Sequence, residues 1–200
     1  MDVSDLVWCD AFSCVDVDPD RYTIPPGPLN PDEVTLIMVA EAPPADPADW
    51  FFAGEDALYA RTTVQAFRDA GEDVESIADV LALGVYLTTA VKCGRTSHGI
   101  SPATVEACSR LLEEELGLFP LARALMPMGD TAIAAVNRIA KRHGEPRPVP
   151  AEVTPGGDYR FRRLRVFPSS LQAGQAFFVE TSTRRLIAED IAAALAYVRA

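Results

Sequence analysis

Cys9, Cys14, Cys93 and Cys108 constrain this chain more than any other feature. They fall as two spaced pairs, C-x4-C near the N-terminus and C-x14-C in the middle of the chain. If the four sulfurs meet, the N-terminal segment must fold back onto the central one. Four thiolates converging on one point hold a metal ion or an iron–sulfur cluster. The opening residues Met1-Asp-Val-Ser-Asp lack the basic and apolar parts of a secretory leader. No run of eighteen apolar residues offers a membrane span. The expected compartment is therefore the cytoplasm, where thiols stay reduced. That favours metal or cluster ligation over disulfides. The bland reading is four unrelated buried thiols, since free cysteine is often a core residue.

The remaining pattern is that of an α/β chain. Residues 34–40, Val-Thr-Leu-Ile-Met-Val-Ala, form a short apolar run rich in strand formers, bounded by prolines. Residues 84–91 form a second such run. Residues 125–128 make a short third, and 159–167 alternate enough for a fourth. Helical spacing appears between them. Leu58, Val64 and Phe67 lie within 54–71, and Val105, Cys108, Leu111, Leu112 and Leu116 follow Ser101-Pro102. Ser101 has the chemistry of an N-cap and Pro102 that of the first helical residue. Asp130 is expected to cap a helix that Gly144 ends, and 183–198 closes the chain as an amphipathic helix. Strand and helix in alternation imply one α/β domain over residues 1–200, a three-layer α/β/α sandwich. Its central, mostly parallel sheet should have about four strands, with residues 1–33 as a proline-rich arm. Ligands of such sheets sit beyond the carboxyl ends of the strands, which singles out the loops 41–54 and 167–174.

The 200 residues carry a formal net charge of -11. That opposes broad, non-specific nucleic-acid binding, which depends on neutralising phosphates, but it leaves room for a local basic face. Arg160, Arg162, Arg163 and Arg165 cluster in one segment, and Lys92 and Arg95 flank Cys93. The arginine cluster reads equally as a phosphate contact and as a charge-protected strand edge.

Several segments, in order, resemble the uracil-DNA glycosylase superfamily, and most closely its iron–sulfur branch (family 4 and relatives). Val39-Ala-Glu41-Ala-Pro43 is similar to that branch's G-E-A-P-G at the end of its first strand. Phe51-Phe52-Ala53-Gly54 is similar to P-F-V-G, and Tyr86-Leu-Thr-Thr-Ala-Val-Lys-Cys93 to Y-I-T-N-V-V-K-C. Cys108-Ser-Arg-Leu-Leu with Met128-Gly129-Asp-Thr-Ala132 matches the C-x-x-x-L and L-G-x-x-A frame. Val166-Phe-Pro-Ser169-Ser-Leu171 resembles the second motif region. The chain also departs from the pattern. Phe167 stands near the position of the usual histidine, Thr89 that of the usual asparagine, and Ala40 and Pro44 those of the two glycines. C-x4-C replaces C-x2-C.

The resemblance implies hydrolysis of the N-glycosidic bond of uracil or another deaminated base in DNA. The partner is DNA with a flipped damaged base. A structural 4Fe-4S cluster would rest on Cys9, Cys14, Cys93 and Cys108, with zinc as the alternative. Glu41 and Asp46 are the candidate catalytic carboxylates, with Asp49 nearby. Ala42 and Pro43 offer backbone contacts, Phe52 a ring for stacking, and Thr89 one hydroxyl for reading the base. Ser169 suits a phosphate, and Leu171 a wedge beside the flipped base. Each also has an ordinary reading: core packing for Phe52, a turn or cap for the acids, a plain strand residue for Thr89. His98 sits in a loop within reach of phosphate or the pocket mouth, or simply at the surface. The rival functions are a binding protein that has lost catalysis on the same scaffold, and an iron–sulfur sensor.

Overall fold

The apolar run after the proline arm is the hub of the computed structural model, which describes residues 1–96, 99–154, 156–171, 173–174 and 176–200. His98 lies outside the described residues. In chain order the elements are β1 (Val17–Asp18), β2 (Leu36–Ala40), α1 (Leu58–Asp69), α2 (Ile77–Ala82), β3 (Val85–Thr89), β4 (Gly94–Arg95) and α3 (Pro102–Gly117). There follow β5 (Ala124–Pro127), α4 (Asp130–Arg142), β6 (Tyr159–Phe161), β7 (Leu164–Val166), α5 (Ala176–Val179) and α6 (Thr181–Arg199). Every residue of β2 and β3 is buried, as expected of parallel strands covered on both faces.

The main sheet runs β3-β2-β5-β7-β6. Its first four strands are parallel, and β6 pairs antiparallel with β7. This is the expected α/β sandwich, with one more strand than anticipated. The extra strand arises because 159–167 is a hairpin rather than a single strand. The chain reverses at Arg162, whose φ of 54° is left-handed, a conformation that glycine or asparagine usually supplies. The arginines of the cluster are engaged by groups of the chain itself. Arg162 pairs with Glu113 and Glu145, Arg165 with Asp158, and Arg163 donates to the Phe119 carbonyl.

Two apolar layers cover the sheet. Ile37, Val39, Leu125 and Val166 face α3 and α4 through Leu112, Val136 and Ile139. Leu36, Met38, Leu87 and Met126 face α1 and α6 through Phe67, Ile187 and Ile191. Val3 and Val7 of the arm enter the first layer, so the arm is part of the core. Ser101 caps α3, its side chain accepting from Thr104 N at 3.2 Å. Among the described residues no helix is long and apolar enough to cross a membrane.

The start of α4 departs from expectation. Asp130 is its first residue, and the N-cap Gly129 offers no side-chain cap. The acceptor comes from far along the chain: Glu41 Oε1 takes the Thr131 N–H at 3.2 Å. Gly129 has φ 87°, and a Cβ there would meet Glu41 Cγ and Oε1 at 2.9 Å. Glycine is thus required both by the backbone angle and by the approach of the carboxylate.

Candidate functional site

The arm reaches the middle of the chain through a small second sheet. β1 pairs antiparallel with β4, Val17 opposite Arg95 and Asp18 opposite Gly94. Asp16 fixes the approach by accepting from Ser101 N at 2.5 Å and from the Thr104 hydroxyl. Burial would raise its pKa, but these bonds outweigh burial and lower it. Arg21 then locks over Gly94: its guanidinium donates to the Arg95 carbonyl at 3.1 Å and to the Ala45 carbonyl. Between the first two cysteines Phe12 takes a left-handed φ of 39°. Its ring packs edge-on against Tyr22 at 5.5 Å, which turns the C-x4-C loop back towards the domain.

The result is that Cys9, Cys14, Cys93 and Cys108 line one cavity of about 360 Å³. Cys93 and Cys108 are buried, Cys9 and Cys14 half-buried, and all four are free thiols. Burial pushes the Cys93 thiol up to about 12, and the charges of Cys108, Cys9 and Cys14 add to the effect. Burial likewise takes Cys108 to about 11, against a hydrogen bond from the Lys92 backbone N–H. Cys93 and Cys108, held protonated by burial, need a positive centre nearby before they become thiolates. Among the described residues no group of three or more His, Cys, Asp and Glu side chains is set to grip a metal ion. A tetrahedral zinc site, with Zn–S near 2.3 Å, draws its sulfurs to within about 4 Å of one another. The donor set of four cysteines round one cavity suits a thiolate-held metal or iron–sulfur group.

The carboxyl ends of the strands lie beside this cavity. Ala40 is opposite Thr89 in the β2–β3 register, and the ladder continues past it. Ala90 N donates to Ala40 O at 2.8 Å and Val91 N to Glu41 O at 2.9 Å. Met128 bridges Ser169, and Gly129 N donates to Ser169 O at 2.9 Å. Glu41, Thr89, Gly129 and Ser169 therefore mark successive strand ends along one edge of the sheet. Ala42 and Pro43 are buried beside Glu41.

Glu41 itself is firmly held. Arg95 Nη2 donates to its Oε2 at 2.6 Å while Thr131 N–H takes Oε1. Asp46 is exposed and caps the one-turn helix Pro47–Asp49, accepting from Ala48 N at 2.9 Å. Phe52 is half-buried in an aromatic group with Trp50 and Phe51. It borders a cavity of about 670 Å³ shared with Arg61 of α1, Ile77 of α2 and Phe178 of α5. Glu41 and Thr89 do not line that cavity. Leu171 is half-buried against the α1–α6 layer. Phe167, in the histidine's place, packs on Tyr197 with ring centroids 5.8 Å apart, and the Arg165 guanidinium lies 5.5 Å from its ring centre.

One feature of the site escaped the sequence reading. Lys92 and Glu115 form an ion pair whose side chains are both fully buried. Glu115 Oε1 also accepts from the Tyr86 hydroxyl at 2.7 Å and the Thr88 hydroxyl at 2.8 Å. A signal was present, because Glu115 lies at helical spacing from Cys108, Leu111 and Leu112 on the buried side of α3.

No protein-family model matches the chain. Over 105 residues it is 31% identical to a type-5 uracil-DNA glycosylase of Thermus thermophilus. The match covers 48% of this chain and 46% of the relative, so the chain spans about half the length of the curated relative it matches. Over that half the chain is similar to a uracil-DNA glycosylase.

Proposed function

We propose that this protein is a DNA glycosylase that hydrolyses the N-glycosidic bond of uracil or another deaminated base and leaves an abasic site. The observation that carries the reading is the gathering of four distant cysteines round one cavity, beside strand ends that carry the resemblance. The type-5 relative adds independent support. A base within a duplex is out of reach of a side chain, so DNA would bind with the damaged base flipped out.

In this reading the Phe52 ring stacks on the base, and Thr89 and the Ala42–Pro43 backbone, which are buried and lie outside the cavity that Phe52 borders, contact its polar edge once DNA binding opens the strand ends. Ser169 holds a phosphate, and Leu171 fills the gap left in the stack. Glu41 and Asp46 are the carboxylates that activate water or offset the positive charge developing on the sugar. Glu41 is favoured by its place at the strand end, Asp46 by its exposure. A carboxylate has about four acceptor positions, so Glu41 keeps capacity beyond its bonds to Arg95 and Thr131.

Cys9, Cys14, Cys93 and Cys108 hold a 4Fe-4S cluster in this proposal. When bound, that group ties the arm to the segment after β3 and to α3; hydrolysis needs no electron from it. The protein works in the cytoplasm, where its thiols stay reduced.

The test is base release. Anaerobically purified protein is incubated with uracil-, hypoxanthine- and xanthine-containing oligonucleotides, single- and double-stranded, and abasic sites are cleaved with alkali. Cleavage of at least one substrate is expected, and Phe52→Ala should abolish it while leaving the circular dichroism unchanged. Full activity in Phe52→Ala would refute the stacking role. No release from any substrate, with DNA binding retained, would replace the enzyme reading by the binding one.

A further inference from the structure

The ammonium of Lys92 is fully buried, and its three donors are all engaged. They go to Thr88 Oγ1 at 2.8 Å, the Thr89 carbonyl at 2.6 Å and Glu115 Oε2. An ammonium has three protons and no acceptor, so nothing is left over. Burying two charges costs several kcal/mol per ion, and a well-packed apolar pair of the same volume is often as stable or more so. Stability alone therefore does not account for this pair. What an apolar pair cannot supply is direction.

The direction is specific. Lys92 reaches back three residues to the Thr89 carbonyl, the last of β3, and sets the plane of the Thr89–Ala90 peptide. The next two amides, of Ala90 and Val91, donate to Ala40 O and Glu41 O. The same residue's main chain faces the other way. Its carbonyl accepts from Thr23 N of the arm at 2.8 Å. Glu115 holds the ammonium in place and is itself held by Tyr86 and Thr88. One residue thus fixes the end of β3 with its side chain and the arm with its backbone.

We infer that Lys92 is a positioning residue that orients Thr89 and the Glu41 loop for base binding, with Glu115 as its counter-ion. The role given to Thr89 rests on the glycosylase reading above; the bracing of residues 89–91 does not. Fixing Thr89 through its carbonyl leaves the side chain free of that duty. It also ties the register of the β2 and β3 loops to the segment that bears Cys93.

The experiment compares wild type with Lys92→Met/Glu115→Leu and with Glu115→Gln, all purified anaerobically. Melting temperature, iron per chain, amide hydrogen exchange at Ala90 and Val91, and kcat and KM on uracil-containing DNA are read on the same samples. The double variant should keep its iron and stay folded, because its replacement pair is apolar and of similar size, but melt below wild type, because the Tyr86 and Thr88 hydroxyls lose the Glu115 carboxylate. Exchange at Ala90 and Val91 should nevertheless speed up tenfold or more, and kcat should fall at least tenfold. Glu115→Gln, which retains an acceptor for Tyr86, guards against misfolding of the double variant and should also exchange faster at those two amides. Wild-type exchange and kcat in a stable double variant would overturn the inference and leave the pair as core filling. Unchanged exchange in Glu115→Gln would overturn it as well. Absence of base release by wild type sinks the glycosylase reading alone, because the exchange measurement still decides the bracing.

Discussion

Replacing Glu41 separates what its carboxylate does for the fold from what it does for chemistry. Its side chain is 16% exposed and Arg95's is 36%, so the ion pair is only partly screened. Glu41→Ala removes a part-exposed, charge-assisted bond to Arg95, worth about 0.5–1 kcal/mol. It also takes the long-range cap from α4, worth about 1 kcal/mol, and empties the contact against Gly129. Together these give a loss of about 2–3 kcal/mol, or roughly 5–10 °C in melting temperature for a chain of this size. Glu41→Gln keeps an oxygen for the Thr131 N–H and loses only the charge, so about 0.5–1 kcal/mol is expected. Urea unfolding reads both losses as a shift in midpoint at constant slope. Base release read beside it tests the catalytic role: if Glu41 is the activating carboxylate, Glu41→Gln loses two or more orders of magnitude in rate for that small loss of stability. If Asp46 has the role, Asp46→Asn shows the kinetic loss and an unchanged midpoint, since asparagine caps as well as aspartate. A Glu41→Ala midpoint equal to wild type would refute the clamp and the energies assigned to it.

Gly129→Ala should cost more than Glu41→Ala, because it meets both a left-handed φ and the Glu41 carboxylate. A loss of about 3 kcal/mol or failure to accumulate is expected, and a melting temperature within 2 °C of wild type by scanning calorimetry would contradict the geometry. Glu113 supplies a pH signature. Partial burial would raise its pKa, but hydrogen bonds from Arg162, Arg142 and His143 hold it down from 4.5 to about 2. Because the folded-state value is the lower one, its stabilisation is complete above about pH 4.5 and is lost as pH falls towards 2. Glu113→Gln should therefore lower stability at pH 7 by about 1–2 kcal/mol after solvent screening and leave it nearly unchanged near pH 2. Equal losses at both pH values in urea titrations would contradict the assignment.

The parallel strands and the cysteine convergence were legible because local pattern and chemistry agree there. β2 and β3 are unbroken apolar runs between turn residues, and the four cysteines expected together do line one cavity. Arg162 was not legible as a turn, since an arginine at positive φ carries no glycine or asparagine signal. Asp130 misled as a cap because the true acceptor, Glu41, lies ninety residues away in sequence. The Lys92–Glu115 pair was concealed for the same reason: each residue reads locally as an ordinary charge, and only their meeting across β3 and α3 gives them a role. The short α2 did have a readable mark, the reciprocal Ser76–Asp79 capping box, but six residues offer too little periodicity to stand out. Phe52 and Leu171 illustrate the other limit, because hydrophobicity predicts that they are covered without saying by what.

The glycosylase reading is carried by the four cysteines gathered round one cavity, and its central claim is that they share one inorganic centre. Iron, zinc and acid-labile sulfide are therefore measured per chain on protein purified without oxygen, together with a Cys108→Ser variant. Iron and sulfide in equal amounts are expected, with broad visible absorption that the variant loses. Zinc without sulfide, or four freely titrating thiols with no metal, would contradict this expectation.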